Sequence, residues 1–274
     1  MKHLKPTRSD LPFYGSISLI GGAYVALLTL LVLACASFLT WETFTETLQS
    51  PAILQSLKLT FLTCTASSIL ALFVSVPLSY SLSRFRFRGR SVIDTLLDIP
   101  IVLPPIVVGL SLLILFNSLP SSENSLERLL NGQGTAVTFH VPAIILAQFT
   151  IITAFATRSL KVTFDQLPER TEHIALTLGC NRFQAFWKIC LPQAQPGILA
   201  AGLLAWARAL GEFGPILIFA GATRGKTEVL STSIFLEINT GNLPGAAAIS
   251  LVLILLSLST ISLLRFLGSR TSNN

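Results

Sequence analysis

The chain has 274 residues, of which 51% are hydrophobic and only 12% are charged. Soluble domains carry about 25% charged residues, so the composition excludes an ordinary water-soluble enzyme and points to lipid as solvent. The formal net charge of +6 would suit a nucleic-acid binder, but in a membrane chain the placement of charge carries the meaning, and no nucleic-acid partner is expected.

Crossing the hydrocarbon core takes about 20 consecutive apolar residues. Six stretches qualify: 16–39, 54–82, 94–119, 141–160, 196–219 and 244–267. The first contains Val32-Leu33-Ala34-Cys35, which weakly resembles a lipoprotein cleavage box. Its apolar run exceeds the core of about 7–15 residues of a signal peptide, so it reads as an uncleaved span. Lys58 lies near the start of the second span and reads as a snorkelling side chain. The third holds Asp94, Asp98, Pro100, Pro104 and Pro105. Proline removes a backbone donor and clashes one turn back, so Leu103-Pro104-Pro105 must interrupt this helix. Such a break is tolerated where protein or a water-filled cavity satisfies the freed groups.

Lys and Arg cluster in alternate connections. One side holds Lys2, Lys5, Arg8, then Arg84, Arg86, Arg88 and Arg90, then Arg158, Lys161, Arg170, Arg182 and Lys188, then Arg265 and Arg270. The other side has only Arg128, Arg224 and Lys226. The positive-inside rule places both termini in the cytoplasm, and makes the arginine run 84–90 a topogenic, lipid-facing feature.

The stretch AGATRGKT, Ala220 to Thr227, fits a loose phosphate-loop pattern. It follows the fifth span on the outer side, with no room for a strand–loop–helix unit or an acidic Mg²⁺ partner, so the match reads as chance. Cys35, Cys64, Cys180 and Cys190 form no CxxC pair and have no His at ligand spacing. No disulfide, metal or cofactor is expected. His140 and His173 lack an acidic or Cys companion, and nothing pairs a nucleophile with a base, so no catalytic residue is assigned.

The connection 165–197, DQLPERTEHIALTLGCNRFQAFWKICLPQAQPG, reads as two short helices. Asp165 can cap the first, Pro168 suits its first turn, and Gly179 can end it in a left-handed conformation. Asn181 then caps a helix over 182–190, which Pro192 stops. Ile174, Ala175 and Leu178 present small and apolar groups, and Phe183, Phe186 and Trp187 present aromatics. A tethered hairpin of this kind is better read as a docking site for a protein than as a DNA reader.

These residues resemble a known family. Gly179, nine residues, then Ile189-Cys190-Leu191-Pro192 resembles the EAA loop of ABC importer permeases, which docks on a separate cytoplasmic ATPase. The acidic-alanine-alanine part is degraded, with Glu172 one place early and only Ala175 where the second alanine belongs. AWARALGEFGPILIFAG (205–221) and DIPIVLPPIVVGLSLL (98–113) look like the fifth and third spans of oxyanion permeases. The Leu-Pro-Pro form is closer to molybdate than to sulfate permeases.

The resemblance implies an all-α membrane protein of the type I ABC importer permease fold, with six transmembrane helices and both termini cytoplasmic. It implies a transport subunit rather than an enzyme, in a prokaryotic cytoplasmic membrane. The residues divide into 1–52 (N-terminal segment, first span, outer loop), 53–266 (permease domain with coupling loop 165–192) and a tail, 267–274. The implied partners are cytoplasmic ABC ATPase subunits, a periplasmic or lipid-anchored solute-binding protein, a second copy of the chain, and membrane lipids.

The coupling residues are Glu172, Ala175, Gly179, Arg182, Phe183, Ile189, Leu191 and Pro192; the pathway residues are Pro104, Pro105, Arg208, Gly211 and Glu212. Arg208 lies four residues before Glu212, within the fifth span. It reads either as a cation met by an oxyanion in the pathway or as an i,i+4 pair that fixes packing. Gly211 and Gly214 allow close helix approach, and Pro215 can kink the outer end. The substrate expected is molybdate or tungstate, with sulfate or thiosulfate as the alternative. A membrane-embedded hydrolase would need a polar catalytic cluster that the sequence lacks, and a stand-alone channel or secondary transporter would not need the hairpin.

Overall fold

The computed structural model describes residues 11–118, 125–131 and 136–271, and every regular element among them is helical. Lys2, Lys5, Arg8 and residues 272–274 lie outside the described residues. In chain order the helices are α1 (Leu11–Ser37), α2 (Trp41–Gln49), α3 (Pro51–Arg84), α4 (Arg90–Val102), α5 (Pro105–Ser118), α6 (Leu126–Asn131) and α7 (Val141–Gln166). There follow α8 (Glu169–Thr177), α9 (Arg182–Ala185), a π-helical turn (Phe186–Cys190), α10 (Leu191–Leu210), α11 (Gly214–Phe219), α12 (Leu230–Asn239) and α13 (Leu243–Thr271).

Five segments are long and apolar enough to cross a membrane, and α4 with α5 makes a sixth if that bent pair counts as one span. The chain bends by 112° between the two halves, across Leu103 and Pro104. The fifth predicted span needs correcting. It is not continuous from 196 to 219: α10 ends at Leu210, a turn runs through Gly211, Glu212 and Phe213, and α11 starts at Gly214. The apolar run concealed this break because Phe213 and the glycines do not interrupt hydropathy, although they interrupt the hydrogen-bond ladder.

The core is α3, α7 and α10. Ser67, Ala71, Ser75 and Ser79 recur every four residues on α3, and all four are buried. The Ser75 hydroxyl donates to Thr153 O at 3.1 Å and Ser79 to Thr157 O at 2.9 Å, so α3 and α7 run in the same direction in close register. Lipid gives apolar side chains no reason to leave it, so close backbone approach through small residues and inter-helix hydrogen bonds does the packing. Ala194, Ala201, Ala205 and Ala209 supply the matching buried stripe on α10. Gln148 joins all three helices: Ser67 Oγ donates to its Oε1 at 3.1 Å, and its Nε2 donates to Ala209 O at 3.3 Å. By contrast, the hydrophobic stretch of α1 is not buried at all, and α1 packs along α13.

α5 and α11 lie side by side with their N-termini together. A Cβ on Gly109 would come within 2.7 Å of Pro215 Cα, which is backbone and cannot swing away. Gly109→Ala is therefore expected to destabilise the chain by about 1–3 kcal/mol, the usual cost of overpacking. Thermal unfolding of the detergent-purified protein checks this; an unchanged midpoint would mean that the contact yields freely.

Candidate functional site

The hairpin is built at the C-terminal ends of α3 and α7. Arg84, the last residue of α3, is the anchor. Its Nε contacts Glu172 Oε1 at 2.7 Å, its Nη2 donates to Leu167 O at 3.0 Å, and its Nη1 lies 3.8 Å from Glu169. Tyr80 Oη donates to the other Glu172 oxygen at 2.9 Å. Glu172 thus faces inward and ties α8 to α3, with side-chain exposures of 8% for Arg84 and 13% for Glu172. The sequence reading missed this role for Arg84, which it grouped with the lipid-facing arginines. Arg86 and Arg88 are exposed, whereas Arg84 is one helical turn beyond Tyr80 on the same face.

The turn between α8 and α9 has the geometry that glycine permits. Gly179 has φ +91°, its N–H donates to Leu176 O at 3.1 Å, and Cys180 N–H donates to Ala175 O at 3.0 Å. This pair of bonds satisfies the last carbonyls of α8 and needs a left-handed residue at Gly179. Asn181 then starts α9 with a reciprocal box: its side chain accepts from Gln184 N, and Gln184 Oε1 accepts from Asn181 N.

Two local expectations are corrected. Asp165 does not cap α8; it sits in the last turn of α7, paired with Lys161 at 2.9 Å and accepting from Ser83 at 2.6 Å, while Pro168 occupies the cap position. Pro192 does not stop a helix at Cys190. The chain continues from Arg182 to Leu210, because the wide π-turn, closed by Leu191 N–H to Phe186 O, moves the bonding register past the proline.

Ala175 and Ala185 are buried where α8 meets the next segment, and Ile189 and Leu191 are half-buried. The outer surface is apolar: Leu178 is 81% exposed and Phe183 70%, with Ile174 and Trp187 also exposed. Arg182 lies with its guanidinium 5.6 Å from the Phe85 ring centroid. Pro192 is exposed.

The second location is where the broken helices meet. Gly214 lies against Pro105 and Ile106, with room of only 3.2 Å between a Cβ there and Ile106 N. The Pro104-Pro105 interruption and the 211–213 turn therefore abut. Arg208 and Glu212 form the i,i+4 pair at 2.6 Å, with Glu212 1% exposed and Arg208 35%. Arg208 also lies 5.4 Å from the Phe155 ring centroid and lines a cavity of ≈ 290 Å³ with Phe155, Ser159 and Leu204. Gly211 caps α10 and faces no other helix closely; the close approach belongs to Gly214. Pro215 starts α11 and does not kink a continuing helix.

AGATRGKT lies at the end of the molecule opposite the hairpin, where Gln55 Nε2 donates to Gly225 O at 2.7 Å near the start of α3. Ile216 to Phe219 belong to α11, Gly221 and Gly225 have φ of +74° and +76°, and residues 224–227 form a turn. No strand precedes it among the described residues, so no phosphate cradle is formed. Among the described residues no group of three or more His, Cys, Asp or Glu side chains is placed to hold a metal.

Residues 75–273 match the family described as binding-protein-dependent transport system inner membrane component. The chain is 32% identical to the molybdate/tungstate transport system permease protein WtpB of Pyrococcus abyssi, covering 89% of this chain and 90% of that protein. It is also 32% identical to the sulfate transport system permease protein CysT of Salmonella typhimurium, over 90% of this chain and 89% of that one. With the WtpB protein of Thermococcus kodakarensis the identity is 35%, over 84% of each chain. In fold it is similar to a chain of a bacterial alginate ABC transporter solved with an alginate-bound periplasmic protein, with a TM-score of 0.76, 17% identity and 96% of each chain covered.

Proposed function

Because this chain belongs to the family of binding-protein-dependent transport system inner membrane components, we propose that it is the membrane-spanning permease of an ATP-driven importer for a tetrahedral oxyanion, molybdate or tungstate. The chain is a transport subunit, and hydrolysis of ATP falls to a separate ATPase. The observation that carries the substrate is the identity of 32% to 35%, over most of the chain, with molybdate/tungstate permeases. The matching identity of 32% with a sulfate permease keeps sulfate as the second reading.

The mechanism follows from two locations. The ATPase docks on the apolar outer face of the hairpin at Ile174, Leu178 and Phe183, on a surface held rigid by Arg84, Glu172, Ala175, Gly179 and the Ile189-Leu191-Pro192 segment. ATP binding closes the ATPase pair, moves the hairpin, and shifts the permease toward its outward-facing state. The breaks at Pro104-Pro105 and Gly211-Glu212 let α5 and α11 shift against α4 and α10 without unfolding a continuous helix. Arg208, released from Glu212 in one state, attracts the anion. An external solute-binding protein delivers the oxyanion, both termini are cytoplasmic, and two copies enclose one pathway, since a single bundle of this size surrounds none.

The assembled transporter with its binding protein is expected to take up labelled molybdate or tungstate at nanomolar to micromolar levels, with little competition from excess sulfate. All three anions carry two negative charges, and a size difference in a pocket is worth only about 1–3 kcal/mol, so the physics of the pore favours none strongly. Sulfate uptake that excess molybdate fails to compete would transfer the assignment to sulfate.

A further inference from the structure

An apolar groove of ≈ 760 Å³ runs along α3 at the hairpin end, between Ile69, Phe73, Val76 and Pro77 on one wall and Phe186 and Trp187 on the other. Two departures from regular helix border it: Pro77 sits inside α3, and the facing wall carries the π-turn Phe186–Cys190. The volume lies within the range of about 300–1,000 Å³ typical of small-molecule sites. Phe73 is 79% exposed, so the groove opens outward on the side of the bundle rather than into its core.

One end of the groove is cationic. Arg182 lines it beside Phe85, and among the described residues no carboxylate pairs with Arg182, whereas neighbouring Arg84 is fully engaged by Glu172 and Leu167 O. Arg182 also borders a small pocket lined by Tyr80, Arg84, Glu169, Glu172 and His173, in which both carboxylates face Arg84 and not Arg182. Arg86 and Arg88 are exposed a short distance along the chain. An apolar slot along a membrane-spanning helix that ends on a guanidinium stacked on Phe85 but without a carboxylate partner has the shape and charge of one occupant, a lipid with an anionic headgroup.

We propose that this groove is a binding site for an anionic membrane phospholipid, with an acyl chain against Ile69, Phe73 and Trp187 and the headgroup phosphate on Arg182. The bidentate fork of arginine suits a phosphate, and the aromatic walls suit the chain. The site rests only on the chain spanning a bilayer and is independent of which solute the permease carries.

The test is native mass spectrometry of the detergent-purified chain titrated with dioleoylphosphatidylglycerol and, separately, dioleoylphosphatidylcholine. The wild type is expected to retain phosphatidylglycerol preferentially. Arg182→Gln is expected to weaken that retention about fivefold, the effect of one basic residue near a charged interface, and to leave phosphatidylcholine unchanged. Ile69→Trp, which fills the groove while leaving Arg182 in place, is expected to lower retention of both lipids. Both variants are first shown to be monodisperse by size exclusion. Equal retention of the two lipids by the wild type, or retention indifferent to both substitutions, overturns the proposal. So does efficient disulfide cross-linking between two copies through Phe73→Cys, which would assign the groove to a second copy of the chain.

Discussion

Arg84→Ala is expected to abolish capture of the ATPase by this chain while the membrane bundle stays folded. Arg84 and Glu172 form an ion pair with little exposure on either side, and Glu172 additionally accepts from Tyr80. Removing one partner of a buried pair costs about 3–5 kcal/mol, because the other charge is left without compensation. That exceeds what one short helix such as α8, nine residues long, recovers from its own hydrogen bonds. The hairpin should therefore detach from α3 rather than adjust. Pull-down of the ATPase and solute uptake by the reconstituted complex read the effect. Arg84→Lys keeps the charge but loses the fork to Glu172 and Leu167 O, and should be intermediate. The double variant Arg84→Leu with Glu172→Leu removes both charges together and should regain part of the docking. If Arg84→Ala alone holds the ATPase and transports normally, the hairpin is positioned by something other than this pair.

Gly179→Val is expected to cut transport strongly, though less than Arg84→Ala, through backbone conformation alone. No atom lies within 4 Å of a Cβ built at Gly179, so a side chain meets no steric obstacle there. The cost comes from φ +91°, which a β-branched residue adopts only at about 1–3 kcal/mol of strain. Relief of that strain opens the two bonds from Gly179 and Cys180 to α8 and swings Leu178, the most exposed apolar residue of the hairpin, away from its place. Gly179→Asn, which tolerates the left-handed region, should be the mildest substitution and Gly179→Ala intermediate. Equal losses for Asn and Val would locate the defect outside backbone strain, and normal coupling in Val would remove the hairpin from the coupling path.

The sequence by itself determined the lipid environment, the helical class, the positions of the apolar stretches and the hairpin with its glycine hinge. Those properties are local: hydropathy over about 20 residues, proline's missing donor at Pro104 and Pro105, and glycine's freedom at Gly179 are all written within a few positions of one another. The Arg208–Glu212 pair is also local, since four residues make one helical turn. What only the tertiary structure decided is contact between segments far apart in the chain. The partner of Glu172 is Arg84, 88 positions away, and no periodicity connects them. The break after Leu210 and its seating against Pro105 arise because α11 must pack on α5 through Gly109 and Gly214. The groove along α3 is likewise bordered by residues far apart in the chain, Ile69 to Pro77 on one side and Trp187 on the other. A hydropathy pattern fixes which face of a helix tolerates lipid, but in a bilayer it cannot choose among apolar neighbours. Small residues, hydrogen bonds and buried charges make that choice, and they act only once the helices are side by side.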